Sequence, residues 1–341
     1  MLEDGVAQQV LTTVGAHEEL VEKYSRSFPH LASKIRPYSS EHLDGYELAY
    51  INFLNNASYF LDDLEGKNLP FVVTLYPGGG LNFELPEQLE KLDRVLSSKL
   101  LRRVITTQPM VTELVSARIS KEIVTEIYGV PINPRYFVPG AGVRFDYPAS
   151  NRDILRICFA AHRYTSDGAD KGFEDFLICA SELHAAGLSL EISLVGPWSP
   201  EDVDTRFSGL PITYCGEISA VLLREFFISQ HLLISLNKPG ILAPGAFDGF
   251  PLTTVVEAAL SGVALVMTDE MIQNRDFVDG RDAIIASADP AKASLRILEI
   301  LSHPGALREM AQCGLRRVRV SHSLVAQLEP RVLLLRESLA N

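Results

Sequence analysis

The stretch Phe247-Asp248-Gly249-Phe250-Pro251-Leu252-Thr253-Thr254-Val255-Val256-Glu257-Ala258-Ala259-Leu260-Ser261-Gly262-Val263-Ala264-Leu265-Val266-Met267-Thr268-Asp269 reads as a loop, a helix and a buried strand. Pro251 suits the first helical turn, where the N–H it lacks would go unpaired anyway. Thr253 and Thr254 follow, with backbone N–H groups free to face an anion and hydroxyls able to cap the helix. Gly262 ends the helix, and Val263 to Met267 is a continuous apolar run of the parallel-sheet type. Two acids, Asp248 and Glu257, lie either side of the turn and the helix start. A phosphate at a helix start, with an acid about one turn further in, is what a nucleoside diphosphate site needs.

Outward from this unit, apolar runs alternate with helical stretches. Residues 154–161, Leu188–Val195, Pro211–Cys215, Leu232–Leu236 and Ala283–Ala286 read as strands, and Phe173–Ala186 and Ala220–Ser229 as helices. Toward the start of the chain, Leu48–Phe53, Phe71–Leu75, Val104–Thr107 and Ile123–Ile127 read as strands, preceded by a helix over about Val6–Arg26. Strands alternating with helices at this spacing predict parallel sheets with right-handed crossovers. Residues 131–152 carry four prolines and read as a linker. The expected organisation is an α/β chain of two Rossmann-like domains, residues 1–133 and 150–341, joined by 134–149. Ligands of such sheets sit at the carboxyl ends of the strands.

Composition narrows the partners. The chain has 341 residues and is 47% hydrophobic, enough for one large or two medium cores. Net charge is −12. Residues 1–150 carry 14 Lys and Arg against 19 Asp and Glu, and the remainder 17 against 24. Neither half is basic, which argues against nucleic acid as a partner. Small basic clusters, Lys99-Leu100-Leu101-Arg102-Arg103 and Arg316-Arg317-Val318-Arg319, read as solvated helix faces. Cys158, Cys179, Cys215 and Cys313 are widely spaced and read as reduced thiols of a cytoplasmic protein. No apolar run approaches the roughly 18 residues that span a bilayer. The histidines are scattered without metal-ligand spacing, so neither a metal nor another cofactor is expected.

The Phe247–Asp269 stretch resembles the donor-site signature of retaining GT-B glycosyltransferases, of the glycosyltransferase family 4-like, or group 1, type. In that family two acids about seven residues apart surround a Gly-Phe turn, and an apolar strand ending in Thr-Asp follows. Here eight residues separate Asp248 from Glu257. One residue inserted in the turn accounts for the difference, because Asp248-Gly249-Phe250-Pro251 keeps the order of the motif. A second match is the loop His162-Arg163-Tyr164-Thr165-Ser166-Asp167-Gly168-Ala169-Asp170-Lys171-Gly172, where the family places an Arg and a Lys-Gly.

The resemblance implies that Arg163 and Lys171 stabilise the departing diphosphate and that Asp248 faces the donor sugar. It implies that Glu257 binds the ribose, while Gly249, Phe250, Leu252, Thr253 and Thr254 line the donor. Gly196, at the end of a strand, matches the family's turn near the nucleotide. In the first domain, Tyr76-Pro77-Gly78-Gly79-Gly80 ends a strand, so Tyr76, Gly78 and Gly79 are expected beside the donor sugar. Tyr76 stands where relatives commonly carry His. The family's opening strand and glycine-rich loop have no counterpart, so the first domain reads as reduced or the chain as part of a longer protein.

The implied activity is transfer of a sugar from a nucleotide-diphosphate sugar to an acceptor hydroxyl with retention and without metal. The implied site is a cleft between the domains. The acceptor would be a glycan, a lipid-linked sugar or a protein, in surface glycan or glycoconjugate assembly. The implied location is the cytoplasm or the inner face of the membrane, with peripheral membrane contact and a partner subunit among the further expectations. A rival reading is a GT-B sugar-nucleotide-binding or scaffold protein without transferase activity. A third, an epimerase of free sugar nucleotides, needs acid and base groups that the sequence does not reveal.

Overall fold

The structure, a computed structural model, describes residues 1, 5–12, 17–138, 142–143 and 153–340. The chain forms two compact units. The first gathers Met1–Leu81, Pro86–Tyr128 and Leu328–Asn341, and the second Asn82–Leu85 and Gly129–Gln327. Of the expected linker, residues 139–141 and 144–149 lie outside the described residues.

The first unit contains β1 (Val10–Thr12), α1 (His17–Ser27), β2 (Ile35–Pro37), β3 (Ala49–Asn52), α2 (Leu54–Gly66), β4 (Phe71–Leu75), α3 (Pro86–Leu96), β5 (Leu101–Thr106), α4 (Pro109–Ser116) and β6 (Val124–Glu126). Strands β3-β4-β5-β6 form a parallel sheet in that order. Every residue of β4 is buried, as expected of a strand covered on both faces. The start of the chain differs from the expected single helix. Val10–Thr12 pairs in parallel with Ile35–Pro37, and the helix among the described residues is His17–Ser27. The β-branched Val10 and Thr12 suit the strand, since such side chains lose rotamer freedom in a helix. The Thr12 carbonyl accepts from Tyr38 N–H at 2.9 Å, and the Thr12 hydroxyl meets His17 Nδ1 at 2.9 Å.

The second unit follows with β7 (Leu155–Ala160), α5 (Phe173–Ala185), β8 (Leu190–Val195), β9 (Ile212–Gly216), α6 (Ala220–Ile228), β10 (Leu232–Ser235), α7 (Thr253–Leu260), β11 (Ala264–Thr268), β12 (Ile284–Ala286), α8 (Pro290–Leu301) and α9 (Ala306–Ser321). The last helix, α10 (Leu324–Ala340), carries the chain back into the first unit from Leu328. Six parallel strands lie in the order β12-β11-β10-β7-β8-β9. Helices cover both faces. Leu155, Ile157 and Phe159 of β7 pack with Phe173, Phe176 and Leu183 of α5, while Cys158 points into the opposite cluster with Val255 and Ala259 of α7.

The strand order reverses direction between β7 and β10, which pair through Leu232–Ile157 and Leu233–Cys158. In a doubly wound sheet, the crevice for a ligand opens beyond the carboxyl ends at that reversal. The loop carrying Arg163 and Lys171 follows β7, and the loop carrying Asp248 follows β10. The topology thus aims both loops at one place. Among the described residues no helix is long and apolar enough to cross a membrane.

Candidate active site

Lys171 is the centre of the site. It ends a 3-10 turn, Ala169–Lys171, bounded by Gly168 and Gly172 in the left-handed region. Gly172 has φ +67°, and a Cβ there would lie 2.0 Å from the Leu236 carbonyl oxygen. Only glycine lets this turn press against the end of β10. The Lys171 side chain is 6% exposed. Its ammonium donates to Asp248 Oδ2 at 2.5 Å, lies 3.6 Å from Asp170 Oδ2 and stands 4.9 Å above the Tyr164 ring. A buried ammonium needs such a full set of partners, because desolvation otherwise penalises its charge.

The acids around it are braced in turn. Asp170 Oδ1 accepts from the Thr165 hydroxyl at 2.8 Å and from Thr165 N–H at 3.3 Å. Asp248 Oδ2 also accepts from Asn237 Nδ2 at 2.7 Å. Asn237 is held by the Ser235 hydroxyl, 3.1 Å from its Oδ1, and by the Thr268 hydroxyl, 2.6 Å from its carbonyl oxygen. The predicted pair Lys171 and Asp248, 77 residues apart, therefore meets directly.

Arg163 stands apart from that pair. Its Nη1 donates to Asp202 Oδ1 at 2.6 Å, its Nη2 to the Ser166 carbonyl, and its guanidinium lies 5.6 Å from the Trp198 ring centre. Asp202 is fixed by Ser199, whose N–H and hydroxyl each donate to Oδ2 at 2.9 Å. Burial would raise the Asp202 carboxyl, but the Ser199 hydrogen bonds and Arg163 hold it below the usual carboxylate range. Trp198 stacks on Phe173 at 4.1 Å. Gly196 (φ +130°) makes room for this corner, since a Cβ there would meet the Ala161 carbonyl oxygen at 2.2 Å.

The signature helix opens at Thr253, two residues beyond the expected start at Pro251. Leu252, extended at φ −64° and ψ 151°, is its N-cap, and Pro251 lies before the first turn. Among the described residues no side chain caps the start of α7, which leaves its positive end open to an anion. Gly249, Phe250 and Leu252 line a cavity with Phe247, Met267 and Met271 on its apolar side. Gly262 has φ +86° and turns the chain from the end of α7 into β11.

Glu257 lies in the second turn of α7. Burial pushes its carboxyl up to about 7. Its side chain accepts no hydrogen bond from the described residues.

Tyr76, Gly78 and Gly79 belong to the first unit. Their loop leaves β4 and is pinned where Asn55 N–H donates to the Gly79 carbonyl at 2.8 Å and Leu81 N–H to that of Gly78 at 3.0 Å. Tyr76 packs against Phe53 at 5.4 Å. Burial pushes its phenol up to about 12, partly offset by Arg331 of α10.

Sequence reasoning missed several participants. Asn82, far from Asp248 in sequence, donates from Nδ2 to the Pro244 carbonyl at 2.7 Å, and Phe83 lies 4.9 Å from Phe247. This short segment clamps the Asp248 loop within the second unit. The clue to Asp202 was present, because Ser199-Pro200-Glu201-Asp202 has the spacing of a capping box. Among the described residues no cluster of three His, Cys, Asp or Glu could hold a metal ion.

Solved structures of the same architecture fit most of the chain. Sucrose-phosphate synthase from Thermosynechococcus elongatus superposes with a TM-score of 0.66 at 17% identity, covering 94% of this chain and 79% of that one. A glycosyltransferase from Rickettsia africae gives 0.64 at 14% identity, with 98% and 99% covered. The Anabaena protein HepE, solved with UDP and glucose, gives 0.65 at 12% identity, with 97% of each chain covered. At such identities the likeness concerns the fold, which is GT-B, as the resemblance of the signature stretch implied. No family model matches the chain, and no curated protein matches its sequence.

Proposed function

We propose that the chain is a glycosyltransferase that moves a sugar from a nucleotide-diphosphate sugar to an acceptor hydroxyl. The observation carrying this reading is the Lys171–Asp248 pair, held at the strand-order reversal beside the uncapped start of α7. When a sugar leaves a diphosphate, negative charge develops on the leaving oxygen. A fixed ammonium and a helix N-terminus stabilise it without rearranging. Lys171 supplies the point charge, and Arg163, once turned from Asp202, can bind phosphate oxygens in a forked manner. Glu257 accepts from the two ribose hydroxyls, consistent with a side chain that has no partner of its own. Asp248 orients the sugar with Gly249 and Phe250.

In this reading the second unit binds the donor, and the first, with Tyr76, Gly78 and Gly79, serves the acceptor. Charge compensation falls to Lys171, Arg163 and α7, and transfer proceeds with retention in surface glycan or glycoconjugate assembly. Uridine diphosphate, present in the matched HepE structure, is the first nucleotide to try. One observation favours the rival reading of a binding protein without turnover: both cations already have carboxylate partners, Lys171 in Asp248 and Arg163 in Asp202.

The test is thermal shift across UDP-, GDP-, TDP- and CMP-sugars and the matching nucleoside diphosphates, followed by product formation with the donor that stabilises. One nucleotide class should raise the melting temperature, and Arg163→Ala and Glu257→Ala should each weaken that effect about tenfold or more in affinity. Stabilisation without sugar release would select the binding-protein reading. Unchanged donor turnover in both variants would remove the site assignment.

A further inference from the structure

Phe53 joins the carboxyl end of β3 to α2, and its backbone is one that few residues adopt. Its φ is +76° and its ψ 145°, close to a region that belongs almost wholly to glycine. Its neighbours hold it there. Its N–H donates to the Thr74 carbonyl at 2.9 Å, its carbonyl accepts from Ala57 N–H at 3.1 Å, and the next residue, Leu54, is fully buried. A phenylalanine in this conformation costs stability that a glycine would not, and strain of this kind gathers at binding sites.

The strained backbone fixes the place of an aromatic ring outside the core. Phe53 is 37% exposed. The ring leans on Gly79, where a Cβ would come 2.3 Å from Phe53 Cδ1, and on the Tyr76 ring, 5.4 Å away and tilted by 50°. Only bare backbone fits at Gly79, whose φ is +56°. Uncharged amides stand next to the ring in the chain. Asn52 and Asn55 are exposed. Asn55 Oδ1 accepts from Lys91 Nζ at 3.4 Å, and Asn56 Nδ2 donates to the Asn52 carbonyl at 2.8 Å.

An aromatic ring with amides beside it suits a sugar. The C–H face of a pyranose is apolar and slightly positive, which matches the negative face of an aromatic ring. Side-chain amides both donate and accept, as sugar hydroxyls do. An acyl or isoprenoid chain would be served by a continuous apolar surface, which Asn52 and Asn55 interrupt.

We propose that Phe53 is a stacking platform for a pyranose ring of the acceptor, braced by Tyr76, with the amides of Asn52 and Asn55 meeting the sugar hydroxyls. The inference rests on the reading that the first unit serves the acceptor, and it makes that acceptor a glycan or glycoside.

The experiment titrates the methyl pyranosides of glucose, galactose, mannose and N-acetylglucosamine by saturation-transfer NMR. Wild type, Phe53→Gly and Phe53→Trp are compared, each alone and with UDP or GDP. At least one pyranoside should bind wild type, with saturation strongest on the C–H protons of one sugar face. Phe53→Gly should weaken that binding about fivefold or more, and Phe53→Trp should retain it. The melting temperature of Phe53→Gly should equal or exceed that of wild type, because glycine adopts φ +76° without strain. Nucleotide affinity should be the same in all three proteins. Equal pyranoside binding by Phe53→Gly and wild type, or no pyranoside binding by wild type, would overturn the proposal. A lower melting temperature in Phe53→Gly would make the ring structural and overturn it as well. Loss of nucleotide binding in Phe53→Gly would assign the ring to the donor and likewise overturn it. Pyranoside binding that depends on Phe53, with no nucleoside diphosphate bound by wild type, would uphold the platform and remove the donor-site reading.

Discussion

Glu257 illustrates how one side chain can trade stability for binding. Its carboxyl is raised to about 7 by burial alone, so the folded protein holds its proton more tightly than the unfolded chain. Stability from this group is fully present below the ordinary carboxylate range and is lost as pH rises through about 7. Glu257→Gln removes the ionisation and with it that slope. The variant should therefore gain melting temperature relative to wild type on going from pH 5 to pH 8, while its response to nucleotide weakens. Parallel pH-dependent slopes in the two proteins would show that Glu257 does not titrate in this range. Lys171 contrasts with it, being more deeply buried yet fully surrounded by Asp248, Asp170 and the Tyr164 ring.

At the scale of elements, the turn before α5 decides where Lys171 points. Gly172→Ala would force a side chain into φ +67° and bring its Cβ to 2.0 Å from the Leu236 oxygen. A destabilisation of about 2–4 kcal/mol is expected, from the left-handed conformation and the clash together. Urea denaturation measures it, and nucleotide stabilisation should be lost beyond what the lower stability explains. A variant as stable as wild type would mean that the turn can relax.

The same elements show what was legible in advance. The loop–helix–strand unit of Phe247–Asp269 is written locally, so its helix and strand could be placed within a residue or two. The contact of Lys171 with Asp248 could be expected only through the resemblance, because it depends on sheet order, which no local spacing encodes. The turn of Arg163 toward Asp202 and the clamp at Asn82 were not legible, since each joins segments brought together only by tertiary packing. The strand at Val10–Thr12 was missed because its partner, Ile35–Pro37, is equally short.

Taken whole, the molecule is stitched together by segments that lie far from their own unit in sequence. Leu335 of α10 packs against Val72, Ile105 and Ile127 of the first unit's sheet. Ending the chain after Gln327 should therefore expose β4 and β5 to hydrogen exchange while β7 to β11 keep their protection. Uniform loss across both sheets would show that the two units unfold together. The division also bears on recombination between related chains. A chimera spliced at Tyr128–Gly129 would receive its final helix from the wrong parent and separate the Asn82–Leu85 clamp from the loop it grips. A transplant of donor preference would have to carry two pieces, the body from Gly129 to Gln327 and the four-residue clamp, and leave the host's own last fourteen residues in place.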